Sequence, residues 1–547
     1  MDCMKAVKAV IDYLAAGGVR YIFGIPAGSV NAFFDELYDT PQVTPIIAKH
    51  EGAAAYMAGA YAKYADSLSV CIGCSGPGST NLITGAANAM REHLPVLFLT
   101  GAVPVRTFGM NASQELDSVP LFQAVTKYSV SVDRAEDLLP EVAKAVGIAL
   151  SGVPGPVHVQ MPIDIQLQQL PSLELPPFPK LQRPVPASSQ IALAAEKLAG
   201  GAKGILFVGQ GARRAADEVV ALAELLDWPI VTTPQAKGLI PDSHPLHYGV
   251  FGFAGQERAS RVIEDAGRTM LFVIGSSLGE TATSNWKPEL AGGRFMIQLD
   301  IDEAVFHRAY PANMVLAGDA GPTLHALIRE LERLGLQRTG YPGAALPAVP
   351  LPSSGYNTQN VLLSLQKYLA ASSRYTVDIG EFMSYVIHYM KVREADSFDI
   401  NVHFGAMGTA IGSAIGMKLA DASRPVVCIT GDGCFFMHGM EVLTAKEYQL
   451  PILFIVINNS RLGMVYHGHE LQYKRSHPRF RQQPVSISDM AYSMGVPSWR
   501  VETLEDISQG MLNDLCIDGP AVLEIAIVDN NTPPMGDRVK FLSSFNK

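Results

Sequence analysis

With 48% hydrophobic and 17% charged residues, the 547-residue chain has ample apolar material for a core, and its length predicts two to four domains. A formal net charge of −10 argues against nucleic acid or an anionic membrane as partner, because both repel a negatively charged surface. No uninterrupted apolar run reaches the ~18 residues that span a bilayer, and six cysteines are too few for a disulfide framework. We therefore expect a cytoplasmic protein without a membrane span.

Residues 1–170 alternate apolar runs of strand length with segments of helical composition. This repeated order predicts a parallel α/β domain. Three of its turns contain residues typical of sites: Pro26 in GIPAG, Glu51 at the start of an Ala-rich helix, and the Gly-rich run from Ser75 to Asn81. Taken alone, Glu51 has two interpretations, an acid that only favours the helix dipole or a functional carboxylate.

Two Pro-rich segments divide the rest of the chain. The first, at about 168–189, predicts an extended linker, and the second, at 339–357, is rich in Pro, Gly and Ala. Between them lies a further α/β pattern with Gly209-Gln210-Gly211 after a strand, which is not a full dinucleotide-binding motif. The sequence therefore predicts three domains, at residues 1–170, 190–335 and 358–530.

Within the last domain, a predicted strand–helix–strand unit carries polar residues at both strand ends. The apolar runs Val426–Ile429 and Ile452–Ile457 flank a segment of helix-forming composition, Met437–Tyr448. Such a unit has parallel strands, and ligands bind at the carboxyl ends of strands in open α/β sheets. Gly431-Asp432-Gly433 and Asn458-Asn459 both fall at that edge.

The residue types at this edge suit a metal-bound diphosphate. Carboxylate and amide oxygens, as in Asp432 and Asn459, are hard ligands for Mg²⁺ or Ca²⁺. Glycines let the backbone approach a ligand closely, and the following helix directs N–H groups at an anion. An ordinary turn with a capping Asp is the alternative for the first motif alone, but the Asn pair that follows after 24 intervening residues favours the cation site.

This spacing resembles the signature of the thiamine diphosphate enzymes. The resemblance implies that Asp432, Asn459 and the backbone carbonyl of Arg461 hold Mg²⁺. It also implies that the diphosphate is lined by a second set of residues, namely Gly433, Cys434, Gly463 and Met464.

Other turns match the same family in order along the chain. GIPAG resembles the turn that places a proline, here Pro26, against the cofactor's pyrimidine, and SGPGSTN resembles the family's SGPGATN loop. Glu51 matches the glutamate that shares a proton with N1′ of the aminopyrimidine and promotes formation of the ylide. In FGAMGTAIG, Met407 matches the residue that bends the cofactor.

The segment TVDIGEFMS resembles a family turn that contacts the diphosphate through Gly-Gln-His. Gly380 is retained, whereas Glu381 and Phe382 replace the polar pair. Because an acid beside a diphosphate is unfavourable, we expect Glu381 to point away from the site.

Two further segments resemble acetolactate synthases in particular. GMNASQELDSVPLFQAVTKYS implies Gln114 near the reacting carbonyl and Lys127 near the substrate channel, with a solvated loop as the alternative for Lys127. In GMVYHGHELQY, Gly468 stands where the anabolic synthases have Trp, and Ser113 replaces a usual Phe, which indicates an altered acceptor pocket. The neighbouring imidazoles, His467 and His469, are expected to be solvent-exposed rather than catalytic.

The resemblance implies an α/β fold of three doubly wound parallel-sheet domains. The first binds the pyrimidine, the second is the central domain, and the third binds the diphosphate. It implies ThDP- and Mg²⁺-dependent decarboxylation of a 2-oxo acid, with pyruvate expected, and carboligation to a second carbonyl compound. Three alternatives stay open: a decarboxylase that releases aldehyde, an FAD-containing enzyme like pyruvate oxidase, and a non-catalytic homologue. Retention of Glu51, Asp432 and Asn459 argues against the last.

The resemblance also bears on further cofactors and on assembly. Some relatives bind FAD in the central domain, but SSLGETATSN replaces their RFDDR-like segment here, which argues against FAD. In relatives, the glutamate of one subunit meets the diphosphate bound by another. A homo-oligomer, dimer or tetramer, with active sites at subunit interfaces is therefore expected.

Overall fold

Three six-stranded parallel sheets follow one another along the chain in the computed structural model, which describes residues 3–172, 174–341, 355–515 and 518–544. The predicted α/β class with three doubly wound domains is confirmed. The exact domain limits stay predictions, and residues 342–354 of the second predicted linker lie outside the described residues. None of the helices in the described ranges is both long and apolar enough to cross a membrane.

The first domain contains eight strands, which are β1 Cys3–Lys5, β2 Tyr21–Gly24, β3 Thr44–Ile47, β4 Ser69–Gly73, β5 Val96–Ala102, β6 Ser129–Ser131, β7 Val157–Pro162 and β8 Gln169–Pro171. Its helices are α1 Ala6–Ala16, α2 Asn31–Tyr38, α3 Glu51–Ala65, α4 Pro77–Arg91, α5 Val119–Gln123, α6 Ala135–Leu150 and α7 Ile163–Leu167. Six strands form the sheet in the order β3-β2-β4-β5-β7-β6, while β1 and β8 pair antiparallel. The central strands are continuous apolar runs because helices cover both faces of the sheet.

The second domain contains the strands β9 Gly204–Val208, β10 Ile230–Thr232, β11 His247–Val250, β12 Met270–Ile274, β13 Phe295–Asp300 and β14 Met314–Ala317. Its helices are α8 Ser188–Ala199, α9 Ala216–Leu226, α10 Glu257–Glu264 and α11 Ala320–Arg333. The strand order is β11-β10-β9-β12-β13-β14, with the switch point between β9 and β12. Glycines follow both strands there, and a Cβ on Gly209 would lie 2.2 Å from the carbonyl oxygen of Gly275, so these glycines let the two turns pack together.

The third domain contains the strands β15 Arg374–Val377, β16 Phe398–Ile400, β17 Val426–Gly431, β18 Ile452–Asn458, β19 Ser498–Val501 and β20 Ala521–Ala526. Its helices are α12 Thr358–Tyr368, α13 Glu381–Tyr389, α14 Thr409–Ala420, α15 Asp432–His438, α16 Glu441–Glu447, α17 Gly463–Tyr473, α18 Ile487–Ser493, α19 Gln509–Leu515 and α20 Asp537–Ser544. The sheet order is β16-β15-β17-β18-β20-β19. The single helix predicted over Met437–Tyr448 is wrong in detail: α15 and α16 are separate, and between them a Cβ on Gly439 would lie 2.5 Å from the carbonyl oxygen of Phe435.

The first and third domains share one apolar core, in which α3 packs against α14. Two glycines of α14 make the close approach possible. A Cβ on Gly412 would lie 2.8 Å from the carbonyl oxygen of Ala53, and one on Gly416 would lie 2.1 Å from that of Met57. The packing therefore holds the start of α3, where Glu51 lies, against the third domain of the same chain.

Candidate active site

The carboxyl edge of the third sheet carries both polar turns of the β17–β18 unit. These strands are parallel neighbours, and Gly431 at the end of β17 lies opposite Ile457 of β18. Asp432 follows as the first residue of α15, and Asn459 follows the last residue of β18. Both strands are buried apolar runs, so the turn residues supply the polar groups at this edge.

The Asp432 carboxylate is 4% exposed, and one of its oxygens has no hydrogen-bond partner. Oδ1 accepts from the Gly433 amide at 2.8 Å, whereas Oδ2 is unpaired, and burial raises the pKa of this carboxyl to about 6. An unpaired buried carboxylate is unstable unless a cation or donor meets it, so Oδ2 fits a divalent cation. No three His, Cys, Asp or Glu side chains among the described residues are arranged to hold a metal ion. A cation here therefore needs other ligands too, such as the amide oxygen of Asn459.

Asn459 contacts the acid that the sequence predicted to point away. Its Nδ2 donates to Oε1 of Glu381 at 2.5 Å, and its Oδ1 accepts from the Arg461 amide at 3.1 Å. Nη2 of Arg461 lies 3.4 Å from the same Glu381 oxygen. The prediction for Glu381 is therefore wrong: α13 begins at this sheet edge, where Asn459 and Arg461 offer donors to its buried carboxylate.

A second buried carboxylate, Asp378, joins three turns of the third domain. It follows β15 and accepts from the Gly408 amide and from Oγ1 of Thr430, both at 2.9 Å. Burial raises its pKa to about 6. Sγ of Cys434 lies 3.2 Å from the Ile379 carbonyl, and burial raises the pKa of this thiol well above its ordinary value, so it is not a reactive thiolate. The turn before α14, the end of β17 and the start of α15 are thus held together.

Met407 and Gly433 face each other beside these turns. Cε of Met407 would lie 3.2 Å from a Cβ on Gly433. The ring of Phe382 lies between Gly380 and Gly431, where added Cβ atoms would meet it at 2.3 and 2.9 Å. Gly380 and Gly431 therefore make room for the apolar ring of Phe382, where the family resemblance implied a polar side chain.

Glu51 begins α3 and lies against the Gly-rich turn that starts α4. It is 9% exposed, and its Oε2 accepts from Nδ2 of Asn81 at 2.9 Å. A Cβ on Gly78 would lie 3.3 Å from its Oε1. The position at the start of a helix also stabilises the negative charge. Two of the N-terminal turns singled out in the sequence are therefore in contact at Glu51.

The residues before Glu51 are bound to the third domain. The amides of Lys49 and His50 donate to Oε1 of Glu441 at 2.9 and 3.0 Å, and Oγ1 of Thr444 donates to its Oε2 at 2.7 Å. Burial raises the pKa of the Glu441 carboxyl. The His50 ring lies 5.2 Å from the ring of His438, near the end of α15.

Three family models match the chain, one in each domain. Their descriptions are "Thiamine pyrophosphate enzyme, N-terminal TPP binding domain" over residues 4–121, "central domain" over 191–327 and "C-terminal TPP binding domain" over 378–525. A relative described as "Probable acetolactate synthase large subunit" from Methanocaldococcus jannaschii is 31% identical over 97% of this chain and 93% of its own length. The chain belongs to the thiamine pyrophosphate enzyme family.

Other relatives give the same result. "Acetolactate synthase isozyme 2 large subunit" of Escherichia coli K12 is 31% identical, with 96% of each chain covered. "Acetolactate synthase large subunit" of Corynebacterium glutamicum is 30% identical over 96% of this chain and 87% of its own length. The protein is thus a thiamine diphosphate-dependent enzyme in the acetolactate synthase branch, and the predicted resemblance is confirmed.

In this thiamine diphosphate enzyme, Pro26 and Gln114 lie on the first domain beside the Gly-rich turn. Oγ of Ser29, three residues after Pro26, accepts from the Ser75 amide at 2.9 Å. The backbone carbonyl of Gln114 accepts from Oγ of Ser75 at 2.7 Å. The side chains of Pro26 and Gln114 are exposed in the single chain, and Gln114 has a left-handed backbone with φ of 63°.

Lys127 is engaged in a structural contact. Its Nζ donates to the carbonyls of Ile148, Ser151 and Val153 at 2.5, 2.8 and 2.7 Å. An ammonium has three donors, and all three are used at the carboxyl end of α6, where a positive charge is favourable. Burial lowers the pKa of Lys127. The predicted role near the substrate channel stays a prediction, and these contacts favour a structural role.

The two imidazoles of α17 differ in their surroundings. His467 is buried, with Nε2 3.1 Å from Nη2 of Arg461 and 3.2 Å from Oε2 of Glu381. His469 is half-buried, and its ring packs 4.8 Å from that of Phe480. The prediction of solvent exposure is therefore wrong for His467, because α17 directs its ring toward Arg461 and Glu381 near the start of the helix.

Sequence reasoning missed three acids that shape the site, namely Asp378, Glu381 as an inward-facing group, and Glu441. Asp378 had a usable signal, since it directly follows a predicted strand and precedes Gly380 at the ligand-binding edge. Glu441 had none, because its partners outside its own helix are backbone amides almost 400 residues away in the chain.

Proposed function

We propose that this protein binds thiamine diphosphate with Mg²⁺, decarboxylates a 2-oxo acid, and joins the remaining acyl carbon to a second carbonyl compound. Pyruvate is the expected first substrate. The names of the relatives, acetolactate synthase large subunits, support carboligation over simple release of an aldehyde. Their likeness extends over nearly the whole chain rather than over the cofactor-binding domains alone.

The observation that carries the proposal is the buried, unpaired Oδ2 of Asp432 beside Asn459. This oxygen needs a cation, and the amide oxygen of Asn459 and the start of α15 lie at the same edge of the sheet. Glu51, the acid expected to act on the cofactor's other end, is buried at the start of α3. A cation site and a proton-carrying acid are the two protein groups that this cofactor requires.

Each predicted residue has a role in this proposal. Asp432, Asn459 and the Arg461 carbonyl would hold the cation. The diphosphate and rings would be lined by the remaining set, which is Pro26, Gly380, Met407, Gly433, Cys434, Gly463 and Met464. Bound thiamine diphosphate supplies the electron sink for decarboxylation and the nucleophilic carbon for the new bond.

The chain's own contribution is to position and to move protons. Glu51 holds a proton at N1′ of the pyrimidine, and Asn81 orients its carboxylate through the 2.9 Å hydrogen bond. Gln114 offers a polar contact to the reacting carbonyl, since its backbone is fixed against the Gly-rich turn. The methyl group of Met407 and the ring of Phe382 make the surroundings apolar.

The test uses the full chain with thiamine diphosphate, Mg²⁺ and carboxyl-labelled pyruvate. We expect release of labelled CO₂ and formation of a 2-hydroxy-2-alkyl-3-oxo acid when a second 2-oxo acid is the acceptor. D432N is the matched control and should release none. Aldehyde as sole product would indicate a decarboxylase, and a flavin absorbance spectrum would indicate the oxidase. Absence of CO₂ from every 2-oxo acid tried, with cofactor bound, would contradict the proposal.

We further propose a homo-oligomer, dimer or tetramer, with active sites between subunits. Three large apolar side chains, Phe436, Met437 and Met440, are exposed along α15 and the turn after it. Such a patch next to the cation edge is typical of a surface that a further subunit covers. Light scattering measures the assembly.

Mixing inactive variants tests the location of the sites. If Glu51 acts on cofactor bound by another subunit, a mixed dimer of E51Q and D432N contains one site with both native residues. Activity should then return when the two inactive proteins are mixed and reassembled. Continued inactivity of verified mixed dimers would place both residues of a site in one chain.

A further inference from the structure

Glu381 occupies the region between the two turns assigned to the cation and the diphosphate. Its carboxyl carbon would lie 2.3 Å from a Cβ on Gly463, so the carboxylate lies directly on the start of α17. Oε1 accepts from Nδ2 of Asn459 at 2.5 Å. The side chain is 4% exposed, and it extends into the site rather than to solvent.

The charges around Glu381 are incompletely paired. Nη2 of Arg461 lies 3.4 Å from Oε1, and Nε2 of His467 lies 3.2 Å from Oε2. Oε2 makes no hydrogen bond within the described part of the chain, and the same holds for Oδ2 of Asp432. Each of these two buried carboxylates therefore keeps one oxygen that accepts no hydrogen bond, although Arg461 and His467 lie beside Glu381. A cation at this sheet edge would stabilise both carboxylates.

We propose that Glu381 is an additional side-chain ligand of the divalent cation in this protein. The inference rests on the cation site of the proposed function and adds a second carboxylate to Asp432 and the Asn459 amide. Affinity of oxygen sites for divalent cations rises with the number of charged ligands. The chain therefore binds the cation without thiamine diphosphate, and the cation must be present before the diphosphate can enter.

The requirement that the cation bind before the diphosphate follows from repulsion between Glu381 and the diphosphate. Without the cation, the Glu381 carboxylate and the cofactor's diphosphate are like charges in a buried site, where Coulomb interactions are strong. With the cation bound, the same carboxylate is neutralised. E381Q should therefore weaken the dependence of thiamine diphosphate binding on the cation.

Manganese binding provides a readout that does not depend on activity. The full-length protein is stripped with EDTA and titrated with Mn²⁺ alone, and free Mn²⁺ is measured by electron paramagnetic resonance. The wild type should bind one Mn²⁺ per chain, and E381Q should bind it at least ~10-fold more weakly.

The control is E524Q, which changes a buried carboxylate of the same sheet. Glu524 accepts from Nδ2 of Asn458 at 2.6 Å, from the Ser488 amide at 2.8 Å and from Nη1 of Arg500 at 2.7 Å. Because its oxygens are paired, the substitution should leave Mn²⁺ affinity unchanged.

A second measurement is titration calorimetry of thiamine diphosphate in EDTA. The wild type should show no binding, and E381Q should show measurable binding. Equal Mn²⁺ affinity in wild type and E381Q would overturn the inference. This also holds if E381Q has a lower melting temperature, because the loss of stability would then show only that Glu381 pairs with Arg461. Absence of Mn²⁺ binding to the wild type would overturn it too.

The two proposals fail in different ways. If the wild type binds Mn²⁺ through Glu381 but never binds thiamine diphosphate, the proposed function is wrong and this site remains. If thiamine diphosphate binds with Mg²⁺ while E381Q leaves Mn²⁺ affinity unaltered, only this inference is wrong.

Discussion

The first and third domains are built on the same sheet, yet they place different chemistry at the same turns. Counted within each sheet, both strand orders are 2-1-3-4-6-5. The turns after the first three strands of each sheet therefore correspond. After the first strand, the turn with Pro26 corresponds to the turn with Glu381, and after the second strand, the turn with Glu51 corresponds to the turn with Met407. After the third strand, the Gly-rich turn before α4 corresponds to the turn with Asp432.

The difference lies in where buried carboxylates stand. In the third domain, acids follow the first and third strands of the sheet, as Asp378, Glu381 and Asp432. In the first domain the corresponding turns have Ile25 and the uncharged run from Ser75, and the acid is Glu51 after the second strand. One scaffold thus carries three buried acids at these turns in one copy and a single buried acid in the other, so the two copies differ in the chemistry of their turns rather than in the sheet.

The two helices at the centre of this pairing, α3 and α14, also correspond. Each follows the second strand of its sheet, and they pack on each other through Gly412 and Gly416. The acid at the start of α3 and the methionine before α14 are therefore positioned by one shared interface. Changes to either partner test how much the site depends on it.

The largest expected effect is on proton transfer through Glu51. E51Q should slow exchange of the C2 proton of bound thiamine diphosphate by about 10²–10⁴-fold, the usual contribution of a positioned acid–base group. Binding of the cofactor should change little, because Gln keeps the shape and the contact to Asn81. The exchange rate is measured by acid quench and proton NMR in deuterium oxide.

The control for Glu51 is E136Q, because Glu136 is also an acid in the first turn of a helix. It is exposed, so its substitution should not alter exchange. Equal exchange rates in E51Q and the wild type would refute the assigned role of Glu51.

The next effect is a pH dependence from Asp378. Burial raises its pKa to about 6 in the folded protein, above the ordinary aspartate value. The folded state therefore binds this proton more tightly than the unfolded state does. Stability from this group is fully present below the ordinary aspartate pKa and is lost as pH rises through about 6.

D378N should remove that dependence in the cofactor-free protein. Between about pH 4 and pH 6 the wild type should lose up to ~3 kcal/mol relative to D378N, seen as converging or crossing melting temperatures. D300N is the comparison variant in the central domain. Because burial raises the pKa of Asp300 to about 6 as well, D300N should change the pH dependence of stability in the same direction as D378N. Parallel wild-type and D378N curves would show that the Asp378 carboxyl does not titrate in this range.

A smaller effect is expected where the helices cross. G416A places a methyl group 2.1 Å from the Met57 carbonyl oxygen, and such overpacking costs about 1–3 kcal/mol. G147A in α6 is the control, because a Cβ there meets no atom within 4 Å, and the lower entropy of the unfolded chain should stabilise it by ~0.4–1 kcal/mol. Denaturant melts that move in the same direction for both variants would contradict this account of the crossing.

Sequence patterns were sufficient for the fold and for the placement of Asp432 and Asn459 at one edge of the third sheet. The alternation of strands and helices predicts three parallel α/β domains, and the GDG and NN motifs predict that Asp432 and Asn459 leave neighbouring strands. Both inferences depend on local periodicity and on the rule that parallel strands share one carboxyl edge. No long-range knowledge is needed for them.

Side-chain direction depends on neighbours that a sequence does not show. Glu381 was expected to turn outward, and His467 to be exposed, because each was judged without its partners. In the structure both meet Arg461, which no local pattern connects to Glu381. The same limit applies to Lys127, whose acceptors at the end of α6 depend on how that helix packs beside it.

The smallest effect separates two roles of Lys127 by comparison with Lys418, a lysine of the third domain that makes similar contacts. Nζ of Lys418 donates to the carbonyls of Ala422 and Arg424 at 2.7 and 3.0 Å, just beyond the end of α14. Both lysines thus satisfy carbonyls at or just beyond the end of a helix, and burial lowers the pKa of each. K127M and K418M should therefore each lower stability by about 1 kcal/mol, because carbonyls lose their donors.

A structural lysine and a channel lysine differ in kinetics. If Lys127 only supports the end of α6, K127M and K418M should show the same KM for the 2-oxo acid once both are assayed well below their melting temperatures. A rise in KM confined to K127M would instead favour the position near the substrate channel, because removal of a positive charge weakens attraction of an anionic substrate in that variant alone.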